Sequence, residues 1–370
     1  MRRTALVFIA LLLPLFLFSE RDETQEAIEA LLETVDLSEW DAWFRENGLE
    51  GEALPSRIFR ELVRMRDPYG RETTDRDLLR ILKPSLGSLL KATALFVGFA
   101  AFCAALQGVS GSSPIVETAD TAFRICIAAA VLVISVTEIR SAYALITTLQ
   151  RTSELLLPVI VGYLGLTGAE NTALLLSASH TLLNDIVLRM IETCVMPFAI
   201  TGGVMLSFDA NGTGRLASVG RLLHRAAKWI LGTACSVYML ITAIRSVAAV
   251  GADGLLLRTT KLAAGSIPAI GSLLSESVDT AYRCMRFIRN ALGLTGCCVL
   301  LTVALKPVIS VFLMRCSLRA SAMLSEPLSG KPYAELLRGM GDTLHILMLS
   351  GLAALAMSLM MLAPLFGAGV

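Results

Sequence analysis

The chain has 370 residues, 55% of them hydrophobic, and a net charge of +1 at neutral pH. Its mean hydropathy is +0.67. Such apolar content exceeds that of soluble domains and points to membrane spans, and a charge so near zero supplies no global field to attract nucleic acid.

Met1-Arg2-Arg3 followed by apolar Ala5–Phe18 reads as a signal peptide or a signal anchor over residues 1–19. The apolar run is short for a span. Leu17-Phe18-Ser19 lacks the small residues wanted at a cleavage site, so both forms stay open. Either one sends the following chain out of the cytoplasm.

Residues 20–86 read as a small extracytoplasmic helical domain. Residues 20–56 hold twelve acids against two bases, and 57–83 hold five acids against eight bases. Ser38 with Asp41 predicts a helix start, Trp40 and Phe44 share a face, and Gly48 ends the helix. Pro55-Ser56 predicts another helix bearing Phe59, Leu62 and Val63, and Thr74 with Asp77 caps a further one. The region is either a solvated spacer or a docking module, because it is too short and too charged to bury a large core alone.

Residues 87–370 read as a polytopic membrane domain. Six segments are apolar enough to span: about 88–110, 121–137, 190–208, 227–250, 291–314 and 344–366. Two shorter apolar pieces, 155–168 and 262–275, each carry a proline and glycines and are each followed by a more polar helical stretch, 172–189 and 276–290. Each pair reads as a re-entrant or broken hairpin, tolerable at membrane depth only when buried in protein or lining a wet cavity, or as two short tilted spans.

Short matches in this region read as an internal repeat, with chance matching as the alternative. Thr137-Glu138-Ile139-Arg140-Ser141 recurs as Thr242-Ala243-Ile244-Arg245-Ser246. Pro158 and Pro268 are each followed 39 residues later by a proline, Pro197 and Pro307. Gly220 and His224 recur as Gly341 and His345. The units cover about 121–226 and 227–366. Repeated membrane halves with interrupted helices are how many transport folds build a central site.

Loops 209–228 and 315–343 are rich in Arg and Lys and should face the cytoplasm. Six spans then place the N-terminal domain and the C-terminus outside. The acidic loop 111–120 and the basic stretch 276–290 run against this tendency.

No P-loop, HExxH or GxSxG pattern is present, and the eight cysteines form no CxxC pair. The chain is therefore expected to be no enzyme, with no catalytic, cofactor-binding or metal residues. Charges near membrane depth carry the functional interest. Arg258 and Lys261 precede the second apolar piece and either snorkel to head groups, or hold the hairpins in register or line a polar path. Lys306 stands beside Pro307, and Arg189 shares a helix face with Glu192 at a spacing that suggests pairing. Pro268, Gly271, Asp279, Arg289, Asn290, Gly293 and Gly296 complete the candidate functional or structural motif.

The stretch Asp253-Gly254 to Arg258-Thr259-Thr260-Lys261, then Ile267-Pro268 to Gly271, Glu276, Asp279-Thr280 and Arg289-Asn290-Ala291 to Gly293 and Gly296, resembles the stage III sporulation protein AE family. Glu276 stands for the usual Asp, Arg289 for the usual Lys and Leu262 for an aromatic. The resemblance implies a membrane subunit of the channel complex between mother cell and forespore, permease-like or scaffolding, required for endospore formation and late forespore gene expression. It implies a multi-pass protein of the mother-cell (outer forespore) membrane. It further implies partners: other membrane proteins of the same complex, an ATPase subunit and a forespore-made protein, besides membrane lipid and no nucleic acid. The alternative is a stand-alone secondary transporter of a small solute. The expected fold is an all-α polytopic membrane protein with about six spans, two re-entrant or broken hairpins in an internal repeat, and a small outward helical domain.

Overall fold

The computed structural model describes residues 37–46, 54–63, 87–105 apart from 88 and 103, 114–166, 173–174, 183–208, 215–265, 271–363 and 365, and for 46, 61–63, 114–121, 123, 124, 166, 245–265, 271–287 and 329 the backbone alone. The described residues are helical. Helices α1 (Ser38–Glu46) and α2 (Pro55–Val63) lie in the N-terminal region. The membrane part comprises α3 (Leu89–Phe102), α4 (Pro114–Leu166), α5 (Leu183–Phe208), α6 (Arg215–Gly265), α7 (Gly271–Ser329) and α8 (Lys331–Met361).

Five helices contain segments long and apolar enough to cross a membrane: Ile125–Gly165, Leu183–Phe208, Arg215–Ile244, Ile288–Leu328 and Lys331–Met361. They answer to five of the six expected spans. The first expected span corresponds to α3, a shorter apolar helix of which 89–102 is described.

Helix α8 is the centre of the bundle. More than half of its apolar window (56%) is buried, against 28–39% for the other four. It packs against α4, α5, α6 and α7. Helices α7 and α8 form an antiparallel hairpin joined at Gly330, whose φ of 83° lies in the left-handed region that favours glycine. Pro332 then falls in the first turn of α8, where its missing N–H costs nothing.

Cross-helix contacts set the register. Counting from Gly330 at about 1.5 Å per residue, Thr343 stands about 20 Å up α8, and Gly351 and Ser310 about 30 Å up their helices. His224 of α6 meets Thr343, and Tyr238 meets Met357 further up. Gly203 of α5 also faces Thr343, and Leu206 faces Gly339 lower down. On α4, Glu138 meets Ser310 and Leu145 meets Gly351. Helices α5 and α7 therefore run toward one end of the bundle, and α6 and α8 run away from it. This turn end holds the α5–α6 link and Gly330.

The opposite, far end is taller than any bilayer. Helices α4, α6 and α7 are 53, 51 and 59 residues long, on the order of 75–90 Å. The hydrocarbon core is about 30 Å thick, and about 45 Å with head groups. Part of each helix must project beyond it. Helices α1 and α2 pack on this taller framework, α1 against α4 and α2 against α7. Leu37, Trp40 and Phe59 join the hydrophobic core of the bundle.

The first apolar piece differs from its expectation as a separate broken segment, because α4 runs unbroken through Pro158 to Leu166. A proline removes one hydrogen bond and crowds the preceding turn without obliging a long helix to stop. Here the loosened turn is used: Pro158 has no N–H to offer Glu154, and the neighbouring Leu155 carbonyl accepts Trp40 Nε1–H at 2.9 Å. Pro307 and Pro327 are likewise absorbed within α7. Pro197 follows a π-helical turn, Ile191–Val195, closed by Met196 N–H to Ile191 O. The missing donor at Pro197 accounts for this wider turn. Pro268 lies in 266–270, outside the described residues.

Candidate functional site

The turn end is held by close approach. A Cβ at Gly202 would lie 2.6 Å from His224 Cδ2, one at Gly220 would lie 2.7 Å from Gly202 O, and one at Gly203 would collide with the Thr343 hydroxyl. A Cβ at Gly339 would lie 2.8 Å from Leu206 Cβ. Small residues at these crossings let α5, α6 and α8 touch backbone to backbone, the packing that membrane helices use where lipid supplies no hydrophobic drive.

His224 is buried inside this junction. Its Nε2 is 3.0 Å from Ala199 O and 3.2 Å from Thr343 Oγ1. A carbonyl only accepts, so Nε2 carries the proton. The Thr343 hydroxyl gives its own hydrogen to Gly339 O at 3.1 Å, and its oxygen is left to accept from His224. One N–H thereby ties α6 to both α5 and α8.

A second polar layer begins about 10 Å further from the turn end, by helix rise. Ser310 Oγ of α7 donates to Glu138 Oε2 of α4 at 2.8 Å. Ser135, three residues before Glu138 and so on the same face, is fully buried with a hydroxyl that has no partner. Glu192 lies within the π-turn of α5, close enough to Tyr143 of α4 and to Arg189 for charge interaction. Arg189 makes its salt bridge at 2.8 Å to Asp185, one turn back, rather than to Glu192 as the sequence spacing suggested. The i,i+4 spacing brings Asp185 under the guanidinium, whereas the π-turn that begins at Ile191 displaces Glu192. Carboxylates at such depth are costly unless paired and are often functional.

The residues singled out from the sequence separate into two groups. Arg258 and Lys261 are on the far portion of α6, Gly271 opens α7, and Asp279 lies two turns into it. Their side chains are outside the described residues. The Arg289 to Gly296 stretch is where α7 enters the bundle. Arg289 is 3% exposed, Ala291, Leu292, Gly293 and Thr295 are buried, and Asn290 is half-buried. A Cβ at Gly296 would lie 2.9 Å from Leu362 Cδ2 at the end of α8. Lys306 is exposed on the outer face of α7 and does not join that cluster.

Sequence reasoning passed over Glu138, Tyr143, Ser310 and Thr343. Glu138 was legible as a charge one residue beyond the apolar segment 121–137. Its depth became visible only once α4 proved to continue through it. Thr343 carried no signal, because Ser and Thr are common in membrane helices.

These features define a polytopic α-helical membrane protein with polar layers inside its bundle. A family profile described as stage III sporulation protein AE matches residues 72–369, and the chain belongs to that family. Stage III sporulation protein AE of Bacillus subtilis (strain 168) is 24% identical over 180 residues. That match covers 48% of this chain and 45% of the relative, just under half of each. No solved structure matches.

Proposed function

We propose that this chain is a membrane subunit of the channel complex between mother cell and forespore, acting as a permease-like or scaffolding component in endospore formation and late forespore gene expression. Family membership gives the sporulation role. The observation that carries the rest is the mismatch between helix length and bilayer: α4, α6 and α7 stand tens of ångströms beyond the membrane, with α1 and α2 packed on the same framework. A solute carrier confined to the bilayer has no need of such a projection, whereas a subunit that meets partners across a narrow gap does.

In this reading the protein sits in the mother-cell (outer forespore) membrane. Its turn end faces the mother-cell cytoplasm, and α1–α2 face outward. Arg215, Arg221, Arg225, Lys228, Arg315, Arg319, Lys331 and Arg338 cluster toward the turn end, which supports that orientation. Ion pairs of Arg319 with Asp342 and of Arg338 with Glu326 tie part of this cluster together. The chain contributes no catalysis, and a separate ATPase subunit supplies energy for any active step. Other membrane proteins of the complex and a forespore-made protein meet the far end. Pro197 and Pro307 fall on the two helices that run to the turn end, and Gly220/His224 and Gly341/His345 on the two that leave it. This placement supports a duplication with both halves in the same orientation.

The test is a clean deletion in the native organism, scoring heat-resistant spores and a late forespore reporter. Arrest after engulfment with a silent reporter is the expected result; normal spores and reporter activity would contradict the proposal. The Glu138–Ser310 layer at membrane depth favours a second reading, a stand-alone secondary transporter. That reading requires solute flux through the purified chain in liposomes, with sensitivity to Glu138→Gln.

A further inference from the structure

Lys306 is the feature that neither the bundle packing nor the family assignment uses. Between Arg289 and Arg315, α7 carries no other charged residue. Lys306 is exposed, as are its neighbours Leu301 and Leu305 (49% and 39%). No described residue pairs with it.

Snorkelling does not relieve this cation. Arg315 marks the nearer polar boundary, nine residues away toward the turn end, or about 13 Å. A lysine side chain reaches roughly half that, and helical side chains lean toward the helix N-terminus, here away from Arg315. An ammonium at this depth costs about 2.5–3.5 kcal/mol on insertion scales. Glu138, the carboxylate one turn away, accepts the Ser310 hydroxyl and makes no ion pair with Lys306 among the described residues, so the ammonium calls for a carboxylate at its own depth on whatever covers α7.

The chain itself offers one. Lys306 is 24 residues from Gly330, hence about 36 Å from the turn end. Glu192 is eleven residues before Gly203, which faces Thr343 at about 20 Å, so Glu192 also stands at about 36 Å. Asp185 is already engaged by Arg189, which leaves the three α5 charges with a net of −1 centred on Glu192. Leu301 and Leu305 supply exposed apolar surface beside Lys306 on α7.

We propose that α7 of one copy docks laterally on α5 of a second copy of the same orientation, with Lys306 paired to Glu192. Within one chain, α5 and α7 each pack on α8 and make at most marginal contact with one another among the described residues. The contact is therefore head-to-tail. Such a contact repeats from copy to copy and closes into a ring or continues as a row in the membrane plane. Equal depth is the condition that two copies sharing one bilayer must meet.

The experiment uses the full chain in native membranes, with a photo-crosslinking amino acid replacing Leu305. The expected products run at multiples of the 39.6 kDa chain mass and join position 305 to the α5 peptide containing Glu192. Lys306→Glu or Glu192→Lys alone should lower the crosslinked fraction by about tenfold or more. The double reversal Lys306→Glu with Glu192→Lys should restore it, and this rescue separates pairing from misfolding. Monomer alone, crosslinks solely to a different protein, or a ladder indifferent to charge reversal would overturn the proposal. It stands on charge and register, so its failure would leave the sporulation-complex reading intact.

Discussion

The two ends of the bundle solve opposite problems with the same helices. Toward the turn end, α5, α6 and α8 meet through Gly202, Gly203, Gly220 and Gly339 and are pinned by one imidazole N–H. None of these four glycines can take a methyl group without displacing a neighbour. Toward the far end, α4 carries on past the bilayer and is met by a single indole from α1. Gly162 and Gly165 in that part of α4 have nothing within 4 Å of a built Cβ. The contrast separates a region specified by close packing from one that presents surface, and it says where substitutions should be felt.

The largest expected effect is at the joint between α1 and α4. Trp40 is 3% exposed and its indole donates to Leu155 O. Trp40→Ala should weaken the docking of α1 by about 3–5 kcal/mol and make the chain around residue 46 sensitive to limited proteolysis in membranes. Unchanged protection would mean that α1 is held elsewhere. Next comes the glycine junction. Gly203→Leu drives a side chain into Thr343 and should cost about 3 kcal/mol, read as a lower melting temperature and less full-length protein in the membrane. Gly162→Leu, in open space, should leave both readouts unchanged. Equal loss from the two leucines would erase the distinction between the ends.

Smaller effects sharpen the polar layers. Ser310→Ala leaves the Glu138 carboxylate without its hydroxyl and should cost about 2 kcal/mol, in the range for a hydrogen bond to a charged group. Glu138→Gln combined with Ser310→Ala should cost less than the two singles added together, which a double-mutant cycle would detect. Thr343→Val removes one of two acceptors for His224 and should cost about 1 kcal/mol by thermal unfolding in detergent. The Ala199 carbonyl keeps the imidazole satisfied.

Much of this architecture was legible in the sequence. The N-terminal helices begin at Ser38 and Pro55 as the caps predicted, and Trp40, Phe44 and Phe59 are the residues they bury. Apolar length located the five helices that are long and apolar enough to cross a membrane, because hydropathy over a span reports directly on the solvent it needs. What escaped was continuity. Pro158 and the glycines of 155–168 suggested a break, yet a proline's local penalty is small beside the packing of a 53-residue helix. The same oversight hid Glu138, which reads as a loop charge if α4 ends at 137 and as a membrane charge if it does not. The resemblance that named the family rested largely on 253–296, whereas the junctions that hold the bundle lie elsewhere, at His224, Thr343 and Ser310. Those depend on which helices meet, and no local pattern states that.

The central claim is that the turn end and the α1–α2 end lie on opposite sides of one membrane. Cysteine accessibility tests it most directly, in a full-length chain whose eight native cysteines are replaced by alanine. One variant carries Ser38→Cys and another Lys331→Cys, both at exposed positions. A membrane-impermeant maleimide added to intact non-sporulating cells producing the chain should label position 38 at once and position 331 only after permeabilisation. Labelling of both positions from the same side would contradict the account.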